Sequence, residues 1–325
     1  GIHERALRAA AVKGLEGEFF ARARKLAGAA NGDITLSEHG RLWWDGAIVA
    51  NLSPGSAPLA PNITLLADEN LKGEPRESVQ RRLEEWLAAR IKTRLEPLLV
   101  LRAGVEAKAG TADAILAEAR GIAHQLCENF GTLDTARVGL PADKRTLIRA
   151  LRPYGVWFGR RAIYLPKLLR PEAASLLALL WGVWTKLENV PALPRAGLTS
   201  FVNDTAAPEG FLAAAGFRVI AGRAIRLDML ERLEDVLEKS VIEGTTAEAM
   251  MPKLVSLLGC GNDELREILG ALGWHAAEVT GGASVWRRMT PPKPRARGHE
   301  PKPQPAPKPP KDSPFACLAA LIAAK

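Results

Sequence analysis

Three times between residues 144 and 275 the sequence repeats one local pattern: a helix-forming stretch, a glycine followed by a large residue, and a short β-rich stretch. Lys144 to Leu151 leads to Gly155-Val-Trp-Phe, Gly210 to Ala215 leads to Gly216-Phe-Arg-Val-Ile, and Asp263 to Leu272 leads to Gly273-Trp-His. Each glycine suits the position just past a helix, where a left-handed backbone ends the helix and turns the chain. The first two instances share Gly-Arg-(Arg)-Ala-Ile-x-Leu, at Gly159 to Leu165 and Gly222 to Leu227. The units are too short for a solenoid and read as reuse of a helix–hairpin device. The fold class that follows is mainly α with small β elements.

The remaining segments fit that class. Residues 1–33 read as a helical N-terminal segment carrying Leu7, Val12, Leu15, Phe19 and Leu26 and weakened by Gly14 and Gly17. Residues 34–70 read as a small β-meander: β-rich runs flank Asp45-Gly46, the pair a type I′ hairpin turn favours, and Ile63 to Leu66 continues it. An amphipathic helical region over 71–135 opens at Glu74-Pro75 with a stripe of Val79, Leu83, Trp86, Leu87, Ile91, Leu95 and Leu98, and Thr111 to Phe130 repeats the pattern. A basic helix–hairpin region follows over 136–240.

Residues 241–289 read as a winged-helix-like module: a helix over Ala247 to Leu258, a Gly259-Cys-Gly261 turn, a second helix from Asp263, and a hairpin around Gly281-Gly282 ending in Trp286-Arg-Arg288. Residues 290–312 hold nine prolines and almost nothing apolar, which predicts a disordered, extended Pro/Lys-rich linker. Residues 313–325 begin Ser313-Pro314-Phe315 and predict a short helix that docks on a protein partner or on the body, with a frayed terminus as the alternative.

Charge informs about partners where it is localised. The 325 residues carry a net charge of +8. Residues 137 to 170 hold nine basic side chains against Asp143 alone, and residues 290 to 312 hold six against two acids, so the rest of the chain is mildly acidic. The first segment interleaves its cations with Tyr154, Trp157, Phe158 and Tyr164, pairing charges for phosphates with rings on which unstacked bases stack. Lys144, Arg145, Arg149, Arg152, Arg160, Arg161, Lys167 and Arg170, with Tyr154, Trp157 and Tyr164, are the candidate contacts to nucleic acid, single strands favoured. Wing residues Arg287 and Arg288 could add phosphate contacts. The competing reading makes the rings core and the arginines a solvated face. The module's second helix offers Asp263, Glu264 and Glu267 against Arg266, which disfavours sequence-specific DNA reading through it.

Other chemistry finds little support. Cys127, Cys260 and Cys317 form no C-x-x-C pair, and His124 with Cys127 lacks a second pair to complete a metal site. Gly259-x-Gly261 has Glu264 where a dinucleotide loop needs its third glycine, and no G-x-x-x-x-G-K-[ST], G-x-S-x-G or H-E-x-x-H occurs. Asp228 and Glu231 read as a capping box. The apolar run Ala173 to Trp184 is too short to span a bilayer, so no membrane partner is expected and the chain is placed in the cytoplasm.

The stretch Leu151 to Leu169, Ala215-Gly-Phe-Arg-Val, Leu257-Leu-Gly-Cys260 and Ser313-Pro-Phe-Ala-Cys-Leu-Ala-Ala-Leu321 resemble the C-terminal half of alphaproteobacterial superfamily 2 helicases. These are DEAD/DEAH-box-like proteins related to the mitochondrial RNA degradosome helicase. The meander, Leu65-Leu-Ala-Asp-Glu69 and the helix after it are similar too, so the resemblance covers most of the chain from residue 34 onward. It implies an ATP- and Mg²⁺-dependent enzyme that unwinds RNA or DNA with two motor domains. The chain lacks a Walker A motif and a D-E-x-[DH] box, so no catalytic residue carries over and no cofactor is expected here. The expectation is a nucleic-acid-binding accessory region whose motor domains lie in cis in a longer protein, in keeping with a first residue that is not methionine. A non-enzymatic scaffold for an acidic protein or ribonucleoprotein surface is the alternative. A standalone winged-helix regulator comes third.

Overall fold

The computed structural model describes residues 17–66, 71–108, 110–111, 114–193, 197–279 and 282–289. The expected linker and docking helix lie outside these residues, as does the start of the N-terminal helix. The described residues up to Arg287 belong to one compact unit. The architecture is mainly α with several small antiparallel sheets.

Helix α1, described over 17–27, leads through a 3₁₀ turn at Asn31–Asp33 into the meander: β1 (Ile34–Leu36), β2 (Arg41–Trp44), β3 (Ala47–Ala57) and β4 (Ala60–Leu65), paired in that order. Asp45 and Gly46 have φ of 49° and 71°, the positive pair the sequence predicted for the β2–β3 turn. Helix α2 (Glu74–Arg94) buries Val79, Leu83, Trp86, Leu87 and Ile91 against the meander and α1. Trp86 Nε1 donates to Asn31 O at 2.9 Å, which fixes the α1–β1 junction on α2. The predicted stripe continues through Leu95 and Leu98, but the helix does not: Pro97 cannot sit inside it, and α3 (Glu96–Glu106) starts afresh. The next helix, α4 (Ala117–Glu128), is shorter than the Thr111–Phe130 expected, because Thr111 and Ala114 are in turns.

Then comes β5 (Thr132–Asp134), α5 (Arg145–Leu151) with a 3₁₀ extension at Arg152–Tyr154, β6 (Trp157–Phe158) and β7 (Ala162–Tyr164). The apolar run becomes α6 (Pro171–Trp184), a central helix with Leu176, Leu177, Leu179 and Leu180 buried. Burying each such side chain contributes about 1.5–3 kcal/mol. The device then recurs as β8 (Ser200–Val202), α7 (Glu209–Ala214), β9 (Phe217–Ile220) and β10 (Arg223–Arg226). The two sheets have the same order, β5-β7-β6 and β8-β10-β9, with the early strand on the second strand of each hairpin. The sequence pattern showed the helix and hairpin of each unit; the early strands are three residues long and left no legible period.

Helices α8 (Leu227–Glu243), α9 (Ala247–Leu258) and α10 (Asn262–Ala271) and the hairpin β11 (Trp274–Glu278) with β12 (Ser284–Arg288) complete the body. Leu233, Leu254, Leu265, Ile268, Trp274 and Trp286 share one buried cluster, so the winged-helix-like module includes α8. The glycines of all three recurrences adopt the left-handed backbone expected of them, with φ of 77° at Gly155, 80° at Gly216 and 83° at Gly273.

Candidate nucleic-acid interface

Helix α5 buries Leu147 and Leu151, which sets its opposite side toward water. Arg145, Arg149 and Arg152 follow at i, i+4 and i+7 and are exposed, the last in the 3₁₀ extension. Arg145 meets Asp143 at 3.6 Å, both in water. Lys144, Arg149, Arg152, Lys167 and Arg170 are exposed and have no carboxylate within ion-pair distance among the described residues. Lys144 and Arg145 stand at the N-terminal end of α5 with no acid in its first turn, against the helix dipole, so helix stability does not account for them. Lys167 lies in a 3₁₀ turn after β7, and Arg170 caps α6.

The rings divide sharply. Trp157 on edge strand β6 is 55% exposed, with Ile148 of α5 another exposed apolar side chain of this unit. Tyr154 is half-buried, and its ring packs so closely on Gly104 of α3 that a Cβ there would come within 2.7 Å. Tyr164 is 3% exposed and belongs to the core between β7 and α8, so it is not a stacking ring. Burial, with Glu231 and Asp228 nearby, pushes its hydroxyl pKa up and keeps it neutral.

Arg160 and Arg161 form the β6–β7 turn, as expected of a hairpin tip, but they face an acidic row on α8. Arg160 donates to Glu238 at 2.7 Å and pairs with Asp235 at 2.7 Å and Glu231 at 3.4 Å. Its bond to Glu238, outweighing partial burial, raises its pKa further. Arg161 Nε donates to Glu234 at 2.7 Å, and its Nη2 donates to Leu272 O. The Glu234 side chain is 1% exposed, so this pair is internal. Glu231 Oε1 also accepts from the Arg160 backbone N–H at 2.8 Å, and a Cβ on Gly159 would collide with it. Glu231 therefore grips the turn and does not complete a capping box; Asp228 instead takes a two-bonded contact from Arg226 at 2.7 and 2.8 Å.

The second unit repeats the contact. Arg223, aligned with Arg161 in the shared Arg-Ala-Ile-x-Leu, donates to Glu264 of α10 at 2.8 Å and to Gly259 O at 3.0 Å. Each arginine thus joins one carboxylate to the carbonyl that ends a helix, Leu272 for α10 and Gly259 for α9, where cations are favoured. Between the two units, Arg218 of β9 donates to both Asp134 oxygens, at 3.1 and 3.0 Å, and to Arg161 O. Charge counting along the chain missed these residues. The signal was present, because Glu231, Glu234, Asp235 and Glu238 recur at helical spacing on one face.

Arg287 and Arg288 are exposed on the second strand of the wing. On α10, Glu264 holds Arg223 and Asp263 pairs with Arg266 at 2.9 Å. Cys127 is half-buried, and burial pushes its thiol up to about 11. Among the described residues no group of three or more His, Cys, Asp or Glu could hold a metal ion, and no helix is long and apolar enough to cross a membrane. Comparison with protein-family models, with curated proteins and with solved structures returns no match to this chain. Its functional reading rests on the geometry of the α5 face and the β6–β7 hairpin.

Proposed function

We propose that the chain is a nucleic-acid-binding accessory region of an ATP-dependent RNA or DNA helicase, with motor domains in cis supplying ATP and Mg²⁺ chemistry. The observation that carries the binding reading is the exposed cationic face of Lys144, Arg149 and Arg152, unpaired among the described residues, in the same unit as the exposed Trp157 ring. Cations on phosphates and a ring under one base are the two parts of a sequence-tolerant single-strand grip. Arg145, Lys167 and Arg170 extend the charge, and Arg287 and Arg288 are secondary contacts on the wing. Arg160 and Arg161 fall outside this grip because their guanidiniums are engaged by α8. The helicase part rests on the sequence resemblance, and with it goes a cytoplasmic location.

Titration with poly(U) and poly(dT) at low salt tests the binding reading. Saturable, salt-sensitive binding that is lost on replacing Lys144, Arg149 and Arg152 by alanine supports it. Absence of binding to both polymers overturns it in favour of an acidic protein or ribonucleoprotein surface as the partner. The genomic reading frame upstream of Gly1 tests the helicase part: an encoded P-loop supports it, and an immediately preceding start codon contradicts it.

A further inference from the structure

Away from the α5 face, a cavity of about 200 Å³ lies between the end of β1, helix α2 and helix α6. Arg90 and Arg94, one turn apart on α2, both line it. Its apolar wall includes Leu36, Leu176, Leu179, Val190, Leu193 and Phe211. Nothing in the proposed nucleic-acid grip uses these residues.

The two guanidiniums have unequal partners. Arg94 reaches Glu172 at 3.6 Å, a carboxylate largely in water. Arg90 rests on the Trp86 ring at 5.1 Å, and its Nε is buried without an acceptor. Burial and the adjacent Arg94 charge, opposed by Glu172, pull the Arg90 pKa down, so its cationic form is held at a cost. Buried donors are normally satisfied, and like charges one turn apart repel. The Arg90 Nε is out of solvent reach, but an oxyanion in the cavity beside the two guanidiniums would offset their mutual repulsion. Ser37 adds a further donor: its Oγ accepts from Arg41 N at 3.1 Å, which leaves its own proton free to donate. Ser175 Oγ donates to Pro171 O, and Glu38 also lines the cavity but is mostly in water beside His39.

The remaining space suits an apolar body. A cavity of about 150 Å³ lined by aliphatic side chains takes up benzene, so this one has room for a ring. We propose that the cavity binds a small organic anion, its carboxylate or phosphate on Arg90 and Arg94 and its ring-sized apolar body against Leu176, Leu179 and Phe211. Such a site has an apolar wall opposite a polar one of similar extent, the two surfaces an amphipathic anion needs.

Calorimetric titration of the full chain with benzoate, phenyl phosphate and inorganic phosphate tests it. The expected result is saturable binding of benzoate or phenyl phosphate with a dissociation constant of about 1 mM or tighter; the stronger of the two tells carboxylate from phosphate. Inorganic phosphate should bind at least about tenfold more weakly for want of apolar contact. Arg90→Gln and Arg94→Gln should each weaken the aromatic anion about tenfold. Leu193→Phe keeps both arginines and narrows the cavity, so it should also weaken binding even if an arginine variant fails to fold. Absence of saturation by both aromatic anions, equal affinity for inorganic phosphate, or unchanged affinity in Leu193→Phe and the folded arginine variants overturns the proposal.

Discussion

Arg152 and Arg160 belong to one basic segment, yet the fold gives them opposite surroundings. Arg152 ends an exposed helical face and has no carboxylate within ion-pair distance among the described residues; Arg160 turns a hairpin onto α8 and meets Glu231, Asp235 and Glu238. A run of nine cations against one acid reads as a single polyanion site along the chain. In three dimensions it is two things: a free cationic face at α5, and a joint that fastens the first helix–hairpin unit to the winged-helix-like module. Local charge density is thus a statement about function only after the long-range partners are known.

The sharpest way to break this distinction is at Arg161. Arg161→Ala removes the shortest ion pair of the buried Glu234 carboxylate and leaves Arg160 at 4.0 Å, and a stability loss of about 3 kcal/mol is expected in urea unfolding. A loss near zero would return Arg161 to the surface class. Next in size, replacing Lys144, Arg149 and Arg152 together by alanine should lower single-strand affinity about 100-fold at low salt, with an unchanged melting temperature. A smaller effect is expected at the ring: Trp157→Ala should cost about 1–2 kcal/mol of binding, and Trp157→Phe should recover much of it. The smallest effect belongs to Arg160→Ala, whose partly exposed pairs should contribute about 1 kcal/mol to stability, with no change in affinity.

Sequence pattern anticipated what is local. The Asp45-Gly46 turn, the helix ends at Gly155, Gly216 and Gly273, and the stripe from Val79 to Leu98 all follow from backbone preference and helical period. The break at Pro97 is equally local, but the apolar stripe runs straight through it and masks it. The site was legible only in part. Tyr164 and Trp157 are cross-strand neighbours, and nothing in their spacing shows that one is core and the other exposed. The carboxylate partners of Arg160 and Arg161 lie about seventy residues away, beyond the reach of any local pattern, although the acidic helical row was itself visible.

The most direct test is the salt dependence of single-strand binding in two variants. If Lys144, Arg149 and Arg152 contact phosphates and Arg160 does not, replacing the three by alanine flattens the slope of log affinity against log salt by about 2, at about 0.7 per phosphate contact. Arg160→Gln should leave that slope unchanged. The reverse pattern, a flattened slope for Arg160→Gln and an unaltered one for the α5 variant, would contradict the assignment of α5 as the free face and the hairpin tip as the joint.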